Sequence, residues 1–148
     1  MGITRIPAAL PTLAKPTLDT PFHIDLKWWE RAGLSLAIEM RSHLCSMHRE
    51  VYAAHADVER IDWVDERTGE VTQVDGLQHV LRVHCSKQPD YIHDELTIVD
   101  AVLRVFLANG NKPLSCRELS AIIGRPPERI LGTVGGLRVY KGIRPAVP

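Results

Sequence analysis

The segment Pro113-Leu114-Ser115-Cys116-Arg117-Glu118-Leu119-Ser120-Ala121-Ile122-Ile123-Gly124 does most to restrict what this chain can become. Ser115 and Glu118 have the S-x-x-E spacing of a capping box, in which the Ser hydroxyl takes an orphan amide and the Glu carboxylate returns to the cap amide. Leu114 stands where a hydrophobic staple residue belongs. Leu119, Ile122 and Ile123 supply an apolar face, and Gly124 suits a helix end. A short helix therefore starts and stops at defined residues. Arg125-Pro126-Pro127-Glu128 turns the chain, and Pro127 fits a first helical position. A second helix then runs from Glu128 to about Gly135, with Ile130, Leu131 and Val134 inward.

Upstream, from Asp94, the apolar positions Leu96, Val99, Val102, Phe106 and Leu107 predict a strong amphipathic helix, stopped by Asn109-Gly110-Asn111. Downstream, Leu137 to Arg144 alternates apolar and basic residues. Helix, capped helix, turn, helix and basic strand-like tail, in that order, resemble the winged-helix or helix-turn-helix superfamily over Glu95–Arg144. The resemblance implies double-stranded DNA as partner. Arg125 and Arg129 would lie at the start of the recognition helix, and Arg138, Lys141 and Arg144 would meet phosphates from a wing. Charge agrees with that end of the molecule. The formal net charge is zero, yet from Glu95 to Pro148 eight Lys/Arg face four Asp/Glu, which leaves the preceding residues acidic by the same margin.

The acidic part holds all seven histidines: His23, His43, His48, His55, His79, His84 and His93. Three cysteines, Cys45, Cys85 and Cys116, are too few and odd in number for a disulfide framework. Cys45 and His48 are three residues apart and share a helix face. His84-Cys85 falls where a helix ends, and an unwound end can turn adjacent residues toward one ion. Cys45, His48, Cys85 and His84, with His79 as the alternative fourth ligand, would make a closed Cys₂His₂ structural zinc site. Packing of these residues as small hydrophobes is the competing reading. His43, His55 and His93 read as ordinary surface or core histidines, and Cys116 as a packed thiol.

Elsewhere, Pro7, Pro11, Pro16 and Pro21 make residues 1–21 an extended arm, and its Leu and Ile residues suit packing along the domain or on another subunit. Asp25 caps a helix from Leu26, which Gly33 ends or bends. Apolar spacing then predicts a helix from Leu34 to near Asp57. Ile61–Val64 and Glu70–Val74 flank a turn and predict a hairpin, with Asp62, Asp65, Glu66, Glu70 and Asp75 as solvated charges. Asp75-Gly76 starts a helix from Leu77 to about Cys85. Of Trp28 and Trp29, one faces the core and the other the arm or a second subunit.

The expected fold is mainly α with a small β-hairpin (α+β). Its parts are the arm 1–21, a His-rich helical module 22–93 and a helix-turn-helix unit 94–148. At 148 residues and 16.6 kDa, no metal or disulfide is needed to make a core. No nucleotide-binding, hydrolase-elbow or H-E-x-x-H motif is present, so the chain reads as non-enzymatic. No apolar run is long enough to span a membrane, and we expect a cytoplasmic protein. The leading expectation is a DNA-binding transcription regulator whose N-terminal module dimerises or recruits a partner. A protein-interaction adaptor using the winged helix and arm is the alternative. A small metal-dependent enzyme comes third.

Overall fold

A computed structural model describes residues 15–52, 60–64, 69 and 71–146 of the chain. The fold is mainly α with small antiparallel β pieces, as expected. In chain order the elements are β1 (Phe22–Ile24), α1 (Leu26–Arg31), α2 (Leu36–Arg41), α3 (Ser46–Tyr52), β2 (Arg60–Val64), β3 (Val71–Asp75), α4 (Gly76–Val83), α5 (Ile98–Ala108), α6 (Cys116–Ile123), α7 (Pro127–Val134) and β4 (Ile143–Pro145). A short 3-10 helix, Cys85–Lys87, follows α4.

Helix α5 is the centre of the core. Thr97 caps it, its hydroxyl accepting from the Asp100 amide at 3.1 Å. The helix therefore starts later than apolar spacing alone suggests, and Leu96 lies before it. Ala101, Val102, Leu103, Val105, Phe106 and Leu107 are all buried, so the helix is enclosed on most of its circumference. The buried residues form one cluster, drawn from β1, α1, α2, α4, α5, α6, α7 and β4. Residues of the predicted His-rich and helix-turn-helix stretches thus share a core.

The C-terminal helices follow the sequence closely. Both arms of the capping box are made: the Ser115 amide donates to Glu118 Oε1 at 2.9 Å, and the Glu118 amide to Ser115 Oγ at 3.2 Å. Gly124 ends α6 in the left-handed region at φ 73°. Pro127 opens α7. The basic tail differs from a wing. Only Ile143–Pro145 of it is strand, and this strand pairs antiparallel with β1 in the register Phe22↔Pro145, His23↔Arg144, Ile24↔Ile143. On its other edge β1 bridges Leu114, with Phe22 N donating to Leu114 O at 2.8 Å and Leu114 N to Phe22 O at 3.1 Å. An N-terminal strand thus lies between the segment before α6 and the segment after α7.

The long helix predicted from Leu34 is interrupted. Ser35 caps α2, which stops at Arg41, and α3 begins at Ser46. The apolar spacing continues across the break, which is why periodicity does not reveal it. Its predicted end near Asp57 lies outside the described residues. The hairpin is present as β2 and β3, with Val64 opposite Val71. Apart from Gly69, its turn lies outside the described residues, and nothing is described of its acidic side chains.

The described end of the arm, from Lys15, runs along α6. Arg117 N donates to Leu18 O at 3.4 Å, and Arg117 Nε meets Asp19 Oδ1 at 2.9 Å. Leu18 packs on the core. Of the tryptophans, Trp29 is buried and donates from Nε1 to Lys141 O at 3.0 Å. Trp28 stands edge-on to it, half-buried.

Candidate metal centre and candidate nucleic-acid surface

Cys45 sits immediately before α3, and its carbonyl accepts from Arg49 N at 2.8 Å. The first turn of α3 therefore begins at Cys45 and brings His48 beside it, with Cys45 Sγ 3.2 Å from His48 Nδ1. The second pair comes from the end of α4. His84 leaves helical geometry at φ −124°, ψ −63°, and Cys85 begins the 3-10 helix. That change of backbone lets adjacent residues, which diverge on a regular helix, converge on one point. Cys45 Sγ lies 3.4 Å from Cys85 Sγ and 3.6 Å from His84 Nδ1, and Cys85 Sγ lies 3.7 Å from His48 Nδ1.

One ligand atom from each of Cys45, His48, His84 and Cys85 lies within 4.8 Å of every other. A tetrahedral ion with metal–sulfur bonds of about 2.3 Å and metal–nitrogen bonds of about 2.0–2.1 Å needs its ligand atoms roughly 3.3–3.8 Å apart. The four separations given above, 3.2–3.7 Å, lie close to that range, and the cluster is positioned to hold a metal ion. His79, the alternative fourth ligand, is not part of this group. It lies on α4 rather than at its unwound end. Burial and the neighbouring His84 hold His48 below the usual imidazole range, which favours the neutral ring a metal ligand requires. Burial pushes the Cys85 thiol up to about 11, so a metal must displace its proton. Cys116, in the first turn of α6, is fully buried and also pushed up to about 11 by burial, as suits a packing residue.

Next to this centre is a polar network that the sequence does not announce. Lys141 Nζ lies 2.7 Å from both Glu39 Oε2 and Asp100 Oδ1. The same Glu39 oxygen is 2.7 Å from His43 Nε2. Arg104 Nε donates to His43 Nδ1 at 3.0 Å. A guanidinium only donates, so His43 Nδ1 is the acceptor and Nε2 carries the proton toward Glu39. Burial, the largest influence, keeps His43 below its ordinary range despite Glu39. Arg104 also donates from NH1 to Tyr91 O at 2.8 Å, and Tyr91 Oη donates to Arg104 O at 2.7 Å. His43 is thus a core histidine, as read, while His93 is exposed and His55 lies outside the described residues. Glu39, Asp100, Arg104 and Tyr91 carry no local motif. Their partners lie up to 102 residues away.

The five basic residues assigned to DNA divide into two groups. Arg125 NH2 donates to Asp94 O at 2.9 Å and Leu96 O at 2.6 Å, tying the turn before α7 to the loop before α5. Lys141 is held by its two carboxylates. Both are half-buried internal ties, which corrects their placement as freely presented donors. Arg129, Arg138 and Arg144 are exposed. Arg129 is in the first turn of α7, Arg138 lies 5.2 Å over the Tyr140 ring, and Arg144 NH1 is 3.4 Å from Asp25 Oδ2.

No protein-family model matches the chain, and no curated protein and no solved structure matches it either. Among the described residues, no helix is long and apolar enough to cross a membrane.

Proposed function

We propose that this chain is a zinc-stapled helix-turn-helix protein that binds double-stranded DNA and regulates transcription in the cytoplasm. The observation that carries the DNA reading is the run from capped α6 through left-handed Gly124 to Pro-started α7, with Arg129 exposed in the first turn of α7. Arg138 and Arg144 supply further exposed cations from the segment after α7. The zinc reading rests on ligand chemistry: two thiols and two imidazoles whose ligand atoms all lie within 4.8 Å of one another suit Zn²⁺. Four protein ligands leave no open position, so the ion would be structural rather than catalytic.

The test is binding to duplex DNA over a range of salt. Each phosphate contact contributes about one unit to the salt slope. Arg129→Ala and Arg144→Ala should each weaken binding and flatten that slope, while the fold is unchanged by circular dichroism. Absence of salt-sensitive binding would sink the DNA reading.

A second reading, a protein-interaction adaptor, is favoured by one observation. Leu137, beside Arg138, is fully exposed at 104 %, an unusual place for a large apolar residue in a DNA-facing segment. Leu137→Ser would leave DNA affinity unchanged and abolish capture of a partner or a homodimer if this reading holds.

A further inference from the structure

A pocket of about 300 Å³ opens beside the metal centre, with Cys45 and Cys85 in its wall. That is the lower end of the size of small-molecule sites. Arg104, Arg49 and His93 also line it. Arg104 is anchored from behind: Nε is fixed by His43 and one NH1 hydrogen by Tyr91 O. A guanidinium has five N–H donors, so three remain. Among the described residues no side-chain nitrogen is both buried and without a partner. The Arg104 NH2 group has no hydrogen bond among the described residues and so is not fully buried, and Arg104 lines the pocket. No carboxylate lies within ion-pair distance of Arg104 or Arg49 among the described residues. Glu39 reaches Arg104 only through the His43 ring. Asp90 also lines the pocket, but is exposed and pairs with neither arginine.

We propose that this pocket binds a small oxyanion, a phosphate or a carboxylate, gripped by the fixed Arg104 fork and by Arg49 at the rim. Three features support that ligand class. Arg104 is held rigid by neutral groups, so its free donors are pre-organised and little entropy is lost on binding. A planar guanidinium matches the paired oxygens of these anions. Two coordinated thiolates balance a divalent ion, so the wall at Cys45 and Cys85 adds no net negative charge to repel one. The inference does not depend on the DNA reading, and it would give the module that shares Cys45 and Cys85 with the metal centre a means of sensing a metabolite-sized anion.

The test is calorimetric titration of the full, zinc-supplemented chain with inorganic phosphate, and separately with acetate and succinate, in a buffer free of competing oxyanions. We expect saturable binding at one site by one of the two classes, which identifies the ligand type. Arg49→Glu should weaken it at least tenfold, because Arg49 is exposed and has no structural partner among the described residues. Arg104→Lys should weaken it similarly, since it keeps the charge and loses the fork. No saturable binding by either class, or binding by both variants as tight as by the native chain, would overturn the proposal. So would displacement of phosphate by duplex DNA in proportion to DNA bound, which would assign the pocket to a DNA phosphate instead.

Discussion

Lys141 Nζ lies 2.7 Å from Glu39 Oε2, although 102 residues separate them in the chain. The contact fastens the segment before β4 to α2, and Asp100 on α5 takes the same ammonium at 2.7 Å. One lysine thus stands between two carboxylates in a half-buried setting. Removing it leaves those carboxylates facing each other without a cation. Lys141→Met should destabilise the fold by about 1–2 kcal/mol, more than an exposed pair and less than a fully buried one. Urea unfolding measures it. An unchanged midpoint would show that the pair contributes nothing.

The same pair makes stability depend on pH in a defined direction. Burial alone would raise the Glu39 carboxyl, but the hydrogen bonds and charges of Lys141 and His43 outweigh it and hold it below the usual range. Its contribution is therefore present above the unfolded carboxyl pKa and lost as pH falls through the depressed folded value. For Lys141 burial works downward, but hydrogen bonds to Asp100 and Glu39 raise it. That contribution is present below the unfolded lysine pKa and lost as pH rises through the raised folded value. The stability gap between the native chain and Lys141→Met should be widest near neutral pH and shrink toward both extremes. A gap that is flat from acid to alkaline pH would contradict this assignment.

Metal content gives the sharpest check on the cysteine and histidine cluster. The purified chain should carry one zinc, and Cys45→Ser or His84→Ala should lose it. His79→Ala should keep it, since His79 stands outside the cluster. A structural ion at a thousandfold excess over its dissociation constant stabilises by about 4 kcal/mol, so a chelator should lower the melting temperature by many degrees. Affinity should fall as pH falls, because Cys85 must surrender its proton to bind. Retention of zinc by Cys45→Ser would rule these ligands out.

The parts legible in the sequence are those fixed by near neighbours. Ser115 and Glu118 cap α6 through contacts spanning three residues. The Cys45–His48 pair is likewise one helical turn. Its union with His84 and Cys85 was legible because only a few Cys and His residues lay at helix faces and ends. What distance hides is the fate of charges. Nothing near Arg125 shows that Asp94 and Leu96 carbonyls will take its guanidinium. Nothing near Lys141 shows Glu39 and Asp100. A basic residue at a turn looks the same to a local reading whether it meets solvent or a carboxylate brought in by tertiary packing. The break between α2 and α3 was hidden for a related reason. His43 turns inward at the break, and although Glu39 is a near neighbour, its other partner, Arg104, comes from α5 and lies outside residues 34–57.

Gly142 makes a prediction from backbone geometry. Its φ is +77°, and a Cβ there would lie 2.7 Å from Trp29 Nε1 and 3.2 Å from Asp25 O. The close approach is what lets Trp29 donate to the Lys141 carbonyl. Gly142→Ala should therefore cost more than about 1 kcal/mol, from the left-handed backbone together with displacement of a buried indole. Trp29 fluorescence should shift with it. A neutral substitution would mean that the β1–β4 edge yields freely.

Asn111 offers a finer test of the same small sheet. Its Oδ1 accepts from Ile24 N at 2.8 Å, and its Nδ2 donates to Ile24 O at 2.9 Å. The side-chain amide thus pairs with Ile24 as a neighbouring strand would. Its backbone is also left-handed, at φ 62°, a conformation that Asn tolerates better than most residues. Two effects are therefore superposed, and variants separate them. Asn111→Gly removes both hydrogen bonds and relieves the backbone. Asn111→Asp keeps the acceptor and the backbone preference but sets a carboxylate against the Ile24 carbonyl. Asn111→Ala loses both bonds and adds strain. We expect Ala to be the most destabilising, by about 2–4 kcal/mol, with Gly less so by about 1 kcal/mol. Amide exchange at Ile24 should accelerate in all three, because each weakens its pairing. Equal stabilities for Gly and Ala would show that backbone strain at Asn111 is negligible, and slow exchange at Ile24 in Asn111→Gly would show that β4 alone holds the strand.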